Sequence, residues 1–157
     1  MSKQQVDLRG RDLLIDANLL LLGVIGAFDP RLLGKGRLDK FSNDDFALLE
    51  KIFAGARTLL TTPGILTETG NLSEHIVPKR DISEFFEHFR AFLKNLDERH
   101  ERATITSEAP AFLWLGLTDA TILHIAEGRI VVLTDDRLLF NQLLEKGIEA
   151  YNFNHLR

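Results

Sequence analysis

The chain of 157 residues contains no cysteine, a single methionine, a single tryptophan and a single tyrosine. Without cysteine there is no disulfide framework, no thiolate metal site and no cysteine nucleophile, a composition compatible with a reducing cytoplasm. The opening stretch from Met1 to Asp7 lacks the apolar centre of a signal peptide. No apolar run is long enough to span a bilayer: the longest, Leu19 to Phe28, is interrupted by Gly23 and Gly26. Nor is there an excess of positive charge. The formal net charge is -4, so any grip on a polyanion must come from local basic patches or from a bound cation rather than from a basic face. The dinucleotide glycine fingerprint is missing, and Gly34-Lys35-Gly36 does not make a phosphate loop.

What is present is an ordinary globular composition, 45% apolar and 27% charged, in a length suited to one domain, residues 1–157. Leu13-Leu14-Ile15 reads as a short buried strand, with a helix from Asn18 that ends at Asp29-Pro30. A helical and loop insertion follows at about 29–57, in which Ser42 caps a helix carrying Phe46, Leu49, Ile52 and Phe53. Thr58 to Thr62 is strand-like, and Pro63 opens the next helix. Ile82, Phe85, Phe86, Phe89, Phe92, Leu93 and Leu96 share one face of an amphipathic helix at about 81–98, whose simplest use is core packing. Ala103 to Thr106 is expected as a short strand and Thr118 as the cap of a helix running to Glu127. Ile130 to Thr134 is expected as a buried strand, Asp136 to Lys146 as a helix and Ile148 to Tyr151 as a last strand. Apolar strands alternating with helices predict a three-layer α/β/α fold around a mainly parallel sheet.

Ligands of such folds bind beyond the carboxyl ends of the strands. Acids stand at equivalent places there: Asp16 after the first strand, Glu68 in the second turn of the helix after the second, Asp119 in the first turn of a later helix, and Asp135 and Asp136 after Thr134. Each has an ordinary reading as a cap, a helix-dipole partner or a solvated face residue. Asp16 is the least comfortable of them, because apolar residues flank it on both sides. Two carboxylates about 4 Å apart repel by roughly 4 kcal/mol at an effective dielectric near 20. A cluster of them therefore calls for a cation. With an all-oxygen ligand set, Mg²⁺ or Mn²⁺ suits it better than zinc.

Leu13 to Asn18, Pro63 to Leu72, Leu117 to Ala120 and Val132 to Arg137 together resemble the PIN-domain nucleases, among them the VapC-like toxin ribonucleases. The resemblance implies a Mg²⁺- or Mn²⁺-dependent endoribonuclease with Asp16, Glu68, Asp119 and Asp136 as its acidic quartet. Asp16, Asp119 and Asp136 would be metal ligands, with Glu68 completing the site directly or through water. Asn18 and Thr134 would orient them from behind, and Asp135 is open between a ligand, an orienting group, a cap and a surface residue. RNA is the implied substrate, a cognate antitoxin protein the implied partner of a toxin, and a homodimer the implied assembly. Arg31, Lys35, Arg37 and Lys40 form a basic loop that is either simply solvated or in contact with the RNA backbone. The rival expectation is a PIN-fold module that binds RNA or protein without cutting. A receiver domain would want an acidic pair where Asp16 stands between Ile15 and Ala17, and a dehalogenase-type phosphatase would want a second aspartate at Asn18.

Overall fold

The computed structural model describes residues 6–157; the stretch from Met1 to Gln5, read above for a leader, lies outside them. Five strands form one all-parallel sheet: β1 (Asp12–Ile15), β2 (Thr58–Thr61), β3 (Leu96–Glu98), β4 (Ile130–Thr134) and β5 (Ala150–Asn152). Their spatial order is β3-β2-β1-β4-β5. Among the described residues there are seven α-helices: α1 (Ala17–Phe28), α2 (Asn43–Gly55), α3 (Pro63–Glu74), α4 (Ile82–Leu93), α5 (Ala103–Thr106), α6 (Phe112–Ile125) and α7 (Arg137–Glu145). None is long and apolar enough to cross a membrane.

The chain leaves β1 toward β2 and β3 on one side and returns to build β4 and β5 on the other. Right-handed crossovers in opposite directions put their helices on opposite faces, which makes the three layers. Helices α2, α3 and α4 pack on α1, and α6 packs on α7. Helix α1 is therefore covered nearly all round, with Leu19 to Gly26 all buried, which is why its sequence is apolar without a clear polar face. The strands β1 and β4 are covered on both faces too, and their run of Leu, Ile and Val follows from that.

Two glycines on α1 set how closely α2 approaches. A Cβ at Gly26 would fall 2.3 Å from Cδ2 of Phe46, and one at Gly23 would fall 2.7 Å from Cε2 of Phe53. These are ring atoms packed between helices, so relief requires the ring to turn or the helices to move apart. Gly26→Ala should lower the free energy of unfolding by about 1–3 kcal/mol from overpacking, read as a lower urea midpoint, although alanine is by itself the better helix former by about 1 kcal/mol. An unchanged or raised midpoint would show that Phe46 turns aside at no cost.

Several boundaries differ from the sequence reading. The segment 29–57 holds two short 3-10 turns, Pro30–Leu32 and Gly36–Leu38, followed by α2 with its Ser42–Asp45 capping box. The amphipathic helix stops at Leu93 rather than near residue 98, and Leu96–Glu98 is an edge strand paired with β2. Leu96 continues the helical spacing of the Phe-rich face, so periodicity alone runs through the true end. Ala103–Thr106 is a helical turn, not a strand. The last strand begins at Ala150 instead of Ile148. Phe85 and Phe89 enter the core, where Phe85 meets Phe28 edge-on at 5.5 Å, while Phe86 stays partly exposed.

Candidate functional site

Strand β1 lies between β2 and β4, and connections leave it in both directions. This is the point where parallel α/β sheets open a crevice beyond their carboxyl ends. The register pairs Ile15 with Leu133, which sets the next residues, Asp16 and Thr134, side by side at that crevice. The backbone N–H of Asp16 still donates to the Leu133 carbonyl at 3.2 Å, so Asp16 is held by the sheet on one side and begins α1 on the other.

Asp16 is 5% exposed. Its Oδ1 accepts from the N–H of Leu19 at 2.9 Å as the cap of α1. Its Oδ2 accepts from the Thr134 hydroxyl and from the N–H of Asp135 at 2.9 Å. Thr134 Oγ1 in turn accepts from the N–H of Asp136 at 2.9 Å. The Thr-x-Asp turn after β4 thus closes onto Asp16. Burial, and after it the neighbouring Asp135 carboxylate, push Asp16 above the usual carboxylate range, against the pull of its three donors.

Asp135 is buried beside it. Its Oδ1 accepts from Asn18 Nδ2 at 3.3 Å, and its carbonyl accepts from Asn154 Nδ2 at 3.1 Å. Oδ2 makes no well-angled hydrogen bond and is met instead by the Lys40 ammonium at 2.6 Å. Asn18 Oδ1 is buried with no donor.

A second group of acids gathers around Asp119. Helix α6 is broken at Gly116, whose φ of 78° and ψ of -178° only glycine adopts readily. The break lies upstream of Thr118, so Thr118 is not the cap expected from the sequence. It packs instead against α3, where a Cβ on Gly64 would stand 3.3 Å from Thr118 Oγ1. This close approach carries Glu68 on α3 and Asp119 on α6 toward one another above the sheet. Asp119 is half-buried, and its carboxyl is pushed up to about 7 by burial and then by the charges of Asp136 and Glu68. Asp136 is exposed and caps α7, its Oδ1 accepting from the N–H of Leu139 at 2.9 Å. Of the two candidate caps for α7, Asp136 does the capping and Asp135 points inward.

The structure therefore joins Asp16, Asn18, Thr134 and Asp135 by direct contacts and sets Glu68 and Asp136 within electrostatic reach of Asp119. Among the described residues no three His, Asp or Glu side chains stand close enough to hold one metal ion as arranged. In chemistry the set suits a hard divalent cation: its donors are all oxygen, its carboxylates repel, and Asn18 contributes a spare buried acceptor. In the basic loop, Arg31 pairs with Asp29 at 2.9 Å, Lys35 and Arg37 are exposed, and Lys40 turns inward to Asp135.

Two features were not visible along the chain. One is the Lys40–Asp135 pair, whose members lie far apart in sequence. The other is the exposure of the apolar side chains Leu113, Trp114 and Leu117. A cavity of about 550 Å³, lined by Leu8, Arg9, Lys51 and Ile52 among others, lies at the opposite, amino end of the strands and away from the acids. Neither the protein-family models nor the curated proteins compared with this chain match it.

Proposed function

We propose that this chain is a PIN-like ribonuclease that needs Mg²⁺ or Mn²⁺ and works at the carboxyl end of its sheet. The observation that carries the reading is the gathering of acids from separate units at one end of the sheet, Asp16 against Asp135 and Asp119 facing Asp136 and Glu68. Acids held against one another in this way weaken the fold, and such strain concentrates where function requires it. The four acidic motifs stand in the order of the PIN nucleases, and the strand order places Asp16 and the Thr134–Asp136 turn at the crevice where such folds take ligands.

Asp16, Asp119 and Asp136 would hold the cation, with Glu68 completing the site directly or through water. When bound, it supplies an acidified water and countercharge for the phosphate oxygens. The chain's own groups orient this set. Thr134 and the N–H of Asp135 fix the Asp16 carboxylate, and Asn18 steadies Asp135. Lys35 and Arg37 are exposed cations available to an RNA backbone.

The test is cleavage of single-stranded RNA with Mn²⁺ by the wild type, Asp119→Asn and Glu68→Gln, alongside calorimetric titration with Mn²⁺. Asp119→Asn should lose cleavage by on the order of 10²-fold or more and weaken the Mn²⁺ heat, with Glu68→Gln following in the same direction. Wild-type rates in both variants would remove the reading. The same site in a toxin paired with an antitoxin protein should arrest growth on induced expression, and Asp119→Asn should relieve the arrest.

A further inference from the structure

Lys40 closes the segment between α1 and α2, and its ammonium rests 2.6 Å from Asp135 Oδ2. The two partners sit in unlike surroundings: the lysine side chain is 43% exposed and the aspartate side chain 1%. Asp135 has left water, and its countercharge reaches it from the solvent side. Both ends are held in place. The Lys40 carbonyl accepts from Arg157 Nη1 at 2.8 Å, and the same nitrogen donates to Asp45 in the capping box of α2 at 2.9 Å. Between them Phe41 is buried against Phe153, with Lys40 and Arg157 at 5.3 and 5.4 Å from its ring centre. On the other side, Asp135 is fixed by Asn18, Asn154 and Asp16. A long flexible side chain anchored at its backbone meets a carboxylate that cannot turn away, so the pair loses little further entropy in forming.

We propose that Lys40 is the acid pocket's own counter-ion, and that by neutralising Asp135 beside Asp16 it competes with a divalent cation for the pocket's negative charge. The inference rests on the metal-dependent reading of the same site. Ammonium and divalent ion answer the same negative charge, and a carboxylate already balanced by Lys40 attracts a second cation less. Lys40 is a positioning residue: it acts through Asp135 and sets how much divalent ion the site requires. The 29–42 segment thereby does more than bridge two helices, since it carries the competitor into the pocket.

Mn²⁺ titration calorimetry of the full chain tests this with the wild type, Lys40→Met, Asp135→Asn and the double variant. Lys40→Met keeps the apolar stem and removes the charge. It should bind Mn²⁺ roughly fivefold more tightly, the scale of one partly screened charge interaction, and the gain should vanish in the Asp135→Asn background. A second measurement needs no variant. Acetylation by acetic anhydride, read by mass spectrometry, should be slow at Lys40 and should quicken when Mn²⁺ is added, while exposed Lys94 is unaffected. Wild-type Mn²⁺ affinity in Lys40→Met, or Lys40 acetylation indifferent to Mn²⁺ that demonstrably binds, overturns this inference alone. No Mn²⁺ binding by any of the proteins overturns the metal-dependent reading together with it.

Discussion

Asp119→Asn is expected to melt higher than the wild type at pH 8, by about 4–8 °C, while losing cleavage. The carboxyl has an ordinary value of 3.8 in the unfolded chain and about 7 in the fold. Between those values the folded protein holds a proton that the unfolded chain has released, so the folded state binds more protons and stability falls as pH rises through that window. Above pH 7 the whole penalty is present; below pH 4 both states are protonated and it disappears. Asp119 is half-buried, so solvent screening reduces the full linkage value, and about 2 kcal/mol is the expected gain at pH 8. For a chain of this size that corresponds to the quoted shift in melting temperature. Thermal melts at pH 8 and pH 4.5 check it: the advantage should be large at the first and small at the second. An equal advantage at both, or a loss at pH 8, would mean that burial and the charges of Asp136 and Glu68 do not raise the Asp119 carboxyl as the structure implies. Stability gained where activity is lost marks a group kept for function rather than for folding.

Asp16 should behave in the opposite way. Asp16→Ala is expected to destabilise the protein by about 2–4 kcal/mol, because one carboxylate serves three donors. Removing it takes away the cap of α1, a loss of about 1 kcal/mol. It also leaves the Thr134 hydroxyl and the Asp135 N–H buried without an acceptor, each costing about 1–3 kcal/mol. The relief of burying one carboxylate fewer beside Asp135 offsets part of this. Asp16→Asn retains the oxygen that caps Leu19 but turns an amide donor toward the Asp135 N–H, so it should fall between wild type and alanine. Urea unfolding of the three proteins gives the order directly. If Asp16→Ala were as stable as wild type, the network tying β1 to the turn after β4 would contribute nothing. The contrast with Asp119 separates two kinds of acid within one crevice, one built into the fold and one held against it.

Much of this arrangement is written in local chemistry. The apolar runs Leu13–Ile15 and Ile130–Thr134 read as strands buried on both faces, and Pro63, Ser42 and Gly147 mark helix ends by their own backbone preferences. The acids at strand ends are legible for the same reason: a carboxylate between Ile15 and Ala17 has no apolar explanation. Other features depend on partners distant in the chain. Leu96 belongs to a strand because β2 offers an open edge, although its spacing continues the face of α4. Thr118 reads as a cap, but the positive φ of Gly116 starts the helix earlier and frees Thr118 to meet α3. Lys40 reads as a loop cation among Arg31, Lys35 and Arg37, and only the fold turns it inward.

By itself the sequence determined the layered α/β class, the positions of β1, β2 and β4, and which acids stand at the ends of strands, because periodicity, caps and turn residues act over a few neighbouring positions. The tertiary structure alone decided which acids meet. Strand order and register bring Asp16 to Thr134 and Asp135, and the contact of α3 with α6 brings Glu68 toward Asp119, while the 29–42 segment delivers Lys40 to Asp135. Electrostatic coupling depends on separation in space, and distance along the chain does not reveal that until the sheet is assembled.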